Sequence, residues 1–187
     1  QVCAFIASDE YKKLGMSYIE VNLSVVQCMQ PKLANHIMEI LTRYGVRPEQ
    51  LNLEITETAA SISQQALEDN IKDLTNMGMK FSLDDFGTGY SNISCALSLP
   101  FEYIKLDRSL LVRLPGDSKV QVFVRSMVET FHAMGQKIVA EGVEEEEQIE
   151  LLRQFGVDCV QGYYYGKPMP EDEFRAAVAK GWEEQRR

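Results

Sequence analysis

Apolar and polar residues alternate along several short segments of the chain, and each of these segments precedes a stretch with helical periodicity. In residues 50–56 every second residue is leucine or isoleucine, and the residues between them, Asn52, Glu54 and Thr56, are polar. Residues 17–24 show the same alternation. Because successive side chains of a strand point to opposite faces, both segments predict strands with one apolar and one polar face.

The stretches that follow have apolar residues three or four positions apart, and each is followed by a glycine. This pattern predicts amphipathic helices with glycine at the C-terminal end. We predict helices over residues 31–44, with Pro31 in the first turn, and over residues 64–77, 120–134 and 146–155. An antiparallel edge strand also has one polar and one apolar face, but here a helix separates successive strands. The order therefore favours parallel βα units.

Six strand-like segments end in polar clusters, at residues 21–24, 53–57, 83–91, 104–109, 140–144 and 161–163. In a barrel of parallel strands, the carboxyl ends of all strands meet at one rim. Active sites of such barrels lie at that rim. The sequence therefore predicts an α/β fold of the (β/α)₈, TIM-like type, with an active site built from these clusters.

Composition indicates one soluble domain over residues 1–187, because 45% of the residues are hydrophobic and no apolar run is long enough to span a bilayer. We find no signal peptide. The cysteines are scattered without a CxxC pair, which argues against a zinc site or a disulfide framework and predicts a cytoplasmic location: Cys3, Cys28, Cys95 and Cys159. The net charge of −9 argues against general nucleic-acid binding.

Oxygen ligands at the predicted rim indicate a site for a hard cation. Asn22, Glu54 and Asp84 come from three successive strands, and Asp85 is placed to help hold a second cation. Carboxylates and a carboxamide favour magnesium, manganese or calcium over zinc or copper. Two such ions can activate water for attack on a phosphodiester, and Lys105 would supply positive charge to the phosphoryl oxygens.

At these residues the chain resembles the EAL-domain phosphodiesterases, which hydrolyse the bacterial second messenger cyclic di-GMP to linear pGpG. The resemblance covers nearly all of the 187 residues. It lies in seven strings that occur in the family's order: VNLS, LEITE, LDDFGTGYS, IKLDRS, AEGVE, QGY and Lys167-Pro168. An unrelated metal-dependent barrel would require this order to be a coincidence.

The resemblance implies a role for each matching residue. It implies metal ligands at Asn22, Glu54, Asp84 and Asp85, and catalytic residues at Lys105, Asp107, Glu141, Glu144 and Gln161. For Glu141 the resemblance implies either a metal ligand or a base. Glu57 matches the anchor of a mobile segment, residues 84–99, associated with metal binding and dimerisation. The resemblance also implies one or two Mg²⁺ or Mn²⁺ ions, cyclic di-GMP as substrate and a homodimer or other self-association. Degenerate members of the family are noncatalytic cyclic di-GMP receptors, which is the alternative function.

The glutamate-alanine-leucine string that names the family does not occur in this chain. Residues 1–15 match the helix after that string, and a complete barrel has about 250 residues. We therefore expect an incomplete barrel without the first two strands and first helix, as in a fragment of a longer signalling protein with regulatory domains and a possible membrane tether. Because one metal ligand is missing, we expect the fragment to hydrolyse poorly. Its unpaired edge strands should favour self-association.

Simpler interpretations exist for several of these residues taken singly. Asn22 is also consistent with a hydrogen-bonding residue at a strand end. The pair 84–85 is equally typical of a turn with a helix cap. Lys105 and Asp107 have the spacing of an ion pair along a strand. Residues 145–147 are best explained as capping and solvated acids at a helix start.

Overall fold

Six parallel strands form the core of the computed structural model, which describes residues 1–60, 65–88 and 93–179. The strands are β1 Ile19–Asn22, β2 Leu51–Thr56, β3 Lys80–Phe86, β4 Tyr103–Leu106, β5 Lys137–Glu141 and β6 Cys159–Gln161. Their spatial order follows the order of the chain from β1 to β6. A doubly wound sheet reverses its strand order at a switch point, whereas a βα barrel does not. The topology is therefore that of an open part of a βα barrel.

Helices connect all successive strands of the sheet, and other helices precede β1 and follow β6. They are α1 Val2–Ile6, α2 Asp9–Leu14, α3 Val25–Cys28, α4 Leu33–Tyr44, α5 Glu57–Ala60, α6 Gln65–Asn76, α7 Ile93–Ser98, α8 Arg108–Leu111, α9 Ser118–Ala133, α10 Glu146–Phe155 and α11 Glu171–Ala179. Gly45 and Gly156 follow α4 and α10 in the left-handed conformation, as predicted. None of the helices among the described residues has the length and apolar character needed to cross a membrane.

The sheet curls strongly between its first and fourth strands. The ring of Tyr18, just before β1, lies 5.5 Å from the ring of Tyr103 on β4, measured between centroids. In a flat sheet these strands would be about 14 Å apart, three strand spacings. The two rings meet because the sheet curves around them, and this curvature defines a concave and a convex face.

The convex face carries the main hydrophobic core. Leu53, Leu83 and Ile104 point to this side and are almost completely buried. They pack in one cluster with helix residues such as Ile71 of α6 and Val124 of α9. The alternation predicted for the strands therefore separates an apolar face under the helices from a polar face inside the curve.

Three details of the predicted elements were wrong. The N-terminal segment forms two short helices, because the side chain of Ser8 accepts a hydrogen bond from the backbone N–H of Tyr11 and starts α2 there. Pro31 precedes Lys32, the residue at the N-terminal boundary of α4, and so lies outside the first turn. The first strand covers only Ile19–Asn22. Gln64, the predicted start of the second helix, lies outside the described residues.

Candidate active site

Lys105 is the centre of a buried cluster of charged residues on the concave face. Its side chain, on β4, is only 3% exposed. The ammonium contacts the carboxylate of Glu54 and lies 2.6 Å from Glu141, 3.7 Å from Asp84 and 3.8 Å from Glu20. These carboxylates come from β2, β5, β3 and β1, so the curl of the sheet is what brings them to one lysine.

Negative charge exceeds positive charge in this cluster. Burial raises the pKa of Glu54 to about 7 and that of Glu141 to about 7, against the opposing effect of Lys105. Burial lowers the pKa of Lys105, but its hydrogen bonds to Glu141 and Glu54 outweigh burial and raise it overall. The pKa values of the two glutamates and of the lysine can all be raised, because one ammonium is shared among several carboxylates. The cluster therefore has an electrostatic preference for additional cations.

Asp84 and Asp85 lie at the end of β3, where the backbone turns. Asp85 has a positive φ of 59°, and its backbone N–H donates to a carboxylate oxygen of Asp84 at 2.9 Å. The Thr88 hydroxyl donates to the carbonyl of Asp85 at 3.0 Å. Burial, followed by the charges of Asp84 and Asp107, raises the pKa of Asp85. The turn that the sequence offered for this pair is present, and the metal-binding role of the pair stays a prediction.

Glu57 contacts the loop after β3, as its predicted anchoring role requires. Its buried carboxylate accepts a hydrogen bond from the backbone N–H of Gly87 at 3.3 Å. Gly87 has a φ of 101°, which residues with side chains rarely adopt. Residues 89–92 of the predicted mobile segment, including the end of the LDDFGTGYS string, lie outside the described residues. The anchoring function of Glu57 stays a prediction.

Asp107 and Glu144 have contacts of their own, outside the lysine cluster. Asp107 caps α8, because its carboxylate accepts from the backbone N–H of Ser109 at 2.8 Å. Lys105 pairs with the carboxylates of Glu54 and Glu141. The interpretation of Lys105 and Asp107 as an ion pair was therefore wrong. Glu144 is exposed and pairs with Arg108 at 2.9 Å. No pattern in the sequence indicates this role for Arg108.

Asn22 and Gln161 flank the cluster at the rim. Asn22 lies opposite Glu54 in the β1–β2 register, and Gln161 lies opposite Glu141 in the β5–β6 register. Both residues are exposed, and among the described residues neither is paired with Lys105. Their position leaves them accessible to a ligand above the cluster. The roles predicted for them stay predictions.

A second polar layer lies one step deeper on the concave face and was missed by the sequence analysis. The side-chain N–H₂ of Asn52 donates to Glu20 at 2.9 Å and to the Ser82 hydroxyl at 2.6 Å. That hydroxyl donates to the same Glu20 oxygen at 3.2 Å. Each of these residues is two positions before a predicted metal ligand, at residues 22, 54 and 84. Since the side-chain period of a strand is two, the alternation itself could have revealed this layer.

The donor types of the upper layer suit a hard divalent cation. Within the described residues, no three or more acidic, cysteine or histidine side chains are already arranged to hold a metal ion, and Lys105 lies between the carboxylates. Carboxylate and carboxamide oxygens are nevertheless the ligands that magnesium, manganese and calcium take. With the excess of negative charge, Glu54, Asp84 and Glu141 fit such an ion.

Parallel strands in sequential order, with an acidic cluster at their carboxyl ends, define a protein of the βα-barrel class. The chain belongs to the EAL domain family, which matches residues 1–168. This confirms the resemblance seen in the ordered strings of the sequence.

Named relatives and solved structures agree with this assignment. The chain is 38% identical over 161 residues to the bifunctional diguanylate cyclase/cyclic di-GMP phosphodiesterase MucR of Pseudomonas aeruginosa, covering 86% of this chain and 24% of MucR. It is 35% identical over 142 residues to the cyclic di-GMP phosphodiesterase RocR of the same organism, covering 76% of this chain and 36% of RocR. The chain spans about a fifth of the length of the first curated relatives it matches.

The fold is shared with structures that hold a cyclic dinucleotide. The PaMucR phosphodiesterase in complex with c-di-GMP superposes with a TM-score of 0.82 at 34% identity, covering 92% of this chain and 70% of that one. Klebsiella pneumoniae BlrP1, in its manganese/cy-diGMP complex, has a TM-score of 0.80 at 30% identity, covering 89% of this chain and 42% of that one. A calcium/cy-diGMP complex of BlrP1 is equally similar. The six-stranded sheet is therefore an incomplete barrel of the EAL type.

Proposed function

We propose that this domain, within a longer protein, hydrolyses cyclic di-GMP to linear pGpG with the help of one or two Mg²⁺ or Mn²⁺ ions. Residues 1–187 alone are expected to hydrolyse it slowly, because the family's glutamate-alanine-leucine string does not occur in them. The observation that carries the proposal is the buried cluster in which Lys105 is surrounded by Glu54, Asp84 and Glu141. The cyclic di-GMP phosphodiesterase relatives and the metal-containing BlrP1 complexes support it.

The metal would be held by the acidic end of the sheet. Asn22, Glu54, Asp84 and Asp85 supply oxygen donors from three neighbouring strands. When bound, divalent ions lower the pKa of water and stabilise the charge of a leaving oxygen in phosphodiester hydrolysis.

The remaining residues of the cluster would orient the substrate and handle protons. The ammonium of Lys105 is held in place by its neighbours, so it can stabilise the negative charge that builds up on the phosphoryl oxygens. Glu141, with its pKa raised to about 7 by burial, is suited to take a proton from the attacking water near neutral pH. Addition of water breaks one phosphodiester bond and leaves a terminal phosphate and a free hydroxyl.

Glu144 and Gln161 are proposed to contact the substrate from the rim, because both are exposed beside the cluster. Asp107 is proposed to fix the turn that follows Lys105, through its cap on α8. The loop held by Glu57 is proposed to position Asp85, since Gly87 lies two residues further along the chain.

The cellular setting is part of the same proposal. We propose that the domain works within a longer cytoplasmic signalling protein with regulatory domains, and that it self-associates. The fraction of MucR that the chain spans supports the first part. In the described sheet β1 and β6 are each paired on one side only, which supports the second. The four cysteines are free, which is compatible with a reducing compartment.

Turnover of cyclic di-GMP, with separation of pGpG, tests the proposal. We expect slow hydrolysis by residues 1–187 in Mg²⁺ or Mn²⁺, none after chelation, and a further loss of about 10²-fold or more in Glu54→Gln. Glu68→Gln is the matched control, because Glu68 also pairs with a lysine, Lys72, but lies on the exposed surface of α6. It should hydrolyse normally.

Binding measured beside turnover distinguishes the enzyme from a receptor. Cyclic di-GMP that binds in Ca²⁺, Mg²⁺ and Mn²⁺ without being hydrolysed would overturn the enzymatic proposal and support the noncatalytic receptor. Absence of both binding and turnover would contradict both functions for this chain.

A further inference from the structure

We propose that Glu20 is a positioning residue that keeps Lys105 in place when divalent ions occupy the carboxylates at the rim. The inference rests on the proposed function, because it assigns a task within the same reaction. It begins from the different surroundings of the four carboxylates that face Lys105.

Glu20 is fixed from below by neutral hydrogen-bond donors. One of its carboxylate oxygens accepts from Asn52 at 2.9 Å and from Ser82 at 3.2 Å. Both donors are fully buried, and they are bonded to each other at 2.6 Å. The other oxygen lies 3.8 Å from the ammonium of Lys105. The hydrogen bonds from Asn52 and Ser82 thus hold one carboxylate oxygen of Glu20, and the other oxygen faces Lys105.

The other three carboxylates have a competing partner in the proposed reaction. Glu54 and Asp84 lie at the rim, where the divalent ions would bind, and Glu141 is the proposed base, whose charge is lost when it takes a proton from water. Lone pairs given to a metal ion are no longer available to an ammonium, and a buried ammonium without a counter-ion is strongly disfavoured. Glu20 lies two residues before the rim position of its strand, or about 6.6 Å deeper. It is the carboxylate that can stay with Lys105.

The arrangement predicts that Glu20 matters little without metal and much with it. In the metal-free chain, Lys105 keeps its close contacts with Glu54 and Glu141 whether or not Glu20 is charged. Glu20→Gln retains an acceptor for Asn52 and Ser82 but removes the charge. We therefore expect the variant to fold normally and to show its defect only when a divalent ion is bound.

Three measurements on Glu20→Gln test this role. We expect divalent affinity, measured by calorimetry with Mn²⁺, to fall about tenfold, within the range of couplings between residues of one ion-pair network. In Mg²⁺ the ¹⁵N signal of the Lys105 ammonium, protected from exchange in the wild type, should be lost. Turnover should show a reduced kcat with little change in KM.

Glu102→Gln is the matched control for the loss of one paired carboxylate. Glu102 contacts Lys80 at 2.8 Å and Lys137 at 3.2 Å and is not among the carboxylates that face Lys105. If both variants weaken Mn²⁺ binding equally, the effect is one of general charge and the proposal is overturned.

A double variant decides whether Glu20 acts through the lysine. With Lys105 replaced by Met, the additional change Glu20→Gln should cause no further loss of Mn²⁺ affinity or turnover. Additive losses would overturn the proposal. If wild-type protein binds Mn²⁺ but does not hydrolyse cyclic di-GMP, the proposed function fails, while calorimetry and the ammonium signal still decide the role of Glu20.

Discussion

The two faces of the same strands have opposite chemistry. On β4, Ile104 points to the convex face and is fully buried under the helices, whereas the next residue, Lys105, points into the curve and is just as inaccessible. On β2 the same change occurs between Leu53 and Glu54, both buried. Burial alone therefore does not distinguish a core position from a site position. The two kinds of position differ in their neighbours, which are apolar at a core position and charged or polar at a site position.

Apolar burial on the convex face stabilises the fold. On the concave face, the burial of several carboxylates close together is electrostatically unfavourable. Apolar burial on the convex side contributes roughly 25 cal/mol for each Å² removed from water. On the concave side, carboxylates are desolvated and compete for one lysine, which is why their pKa values are raised. Replacing a buried ion pair by apolar residues of similar volume often leaves the stability of a fold unchanged or increases it. The cluster is therefore better explained by a role in binding than by a contribution to stability.

Replacing Lys105 by Met should give the largest effect on function. Turnover of cyclic di-GMP should fall about 10³-fold, the upper part of the range for loss of a group that stabilises transition-state charge. Lys80→Met is the matched control, because Lys80 also pairs with a glutamate, at 2.8 Å from Glu102. Equal losses of kcat in both variants would show that the loss does not depend on the central position of Lys105 in the cluster.

Replacing Ile104 by Ala should affect stability and leave the chemistry intact. The free energy of unfolding, from urea denaturation, should fall by about 3 kcal/mol, since a buried isoleucine is lost and a cavity remains. The kcat of the folded fraction should match that of the wild type. A variant that keeps its stability but loses turnover would contradict the separation of roles between neighbouring residues of β4.

The alternation along the strands was enough to predict which residues face each side. Leu53 and Glu54 have opposite neighbours in the structure, as the period of two requires. The helix ends at Gly45 and Gly156 were also predictable, because the left-handed conformation there favours glycine. These features depend on local sequence.

The central position of Lys105 was not predictable in this way. A strand pattern fixes the face of a side chain but not how far the sheet curls, and the curl brings Glu20 of β1 within 3.8 Å of Lys105 of β4. The pairing of Arg108 with Glu144 likewise joins α8, which follows β4, to the loop that follows β5. The break at Ser8 was missed because a single capping serine within a helical pattern is a weak signal.

The stability of the metal-free protein should fall as the pH rises through the neutral range. The pKa values of Glu54 and Glu141 are raised from about 4.5 to about 7 in the folded chain. The stability from these two groups is therefore fully present below pH 4.5 and is lost as the pH passes 7. The Tm measured in chelator should be lower at pH 8 than at pH 5, with a smaller difference in the Glu54→Gln/Glu141→Gln variant.

Divalent ions should reverse this trend, because they bind the ionised carboxylates in competition with protons. Adding Mg²⁺ should raise the Tm more at pH 8 than at pH 5. An equal rise in Tm at pH 8 and pH 5 would indicate that Mg²⁺ binds elsewhere. The concave cluster would then not be the metal site.

Replacing Arg108 by Gln should have the smallest effect on stability. The guanidinium lies 2.9 Å from Glu144, but the two side chains are 57% and 39% exposed. Ion pairs so open to water contribute about 0.5 kcal/mol, so the change in the free energy of unfolding should be close to the error of measurement. Any loss of kcat would then report on the position of the Glu144 carboxylate. Adding Glu144→Gln should cause no further loss if the two residues act as a pair, whereas independent losses would assign Arg108 a separate contact with the substrate.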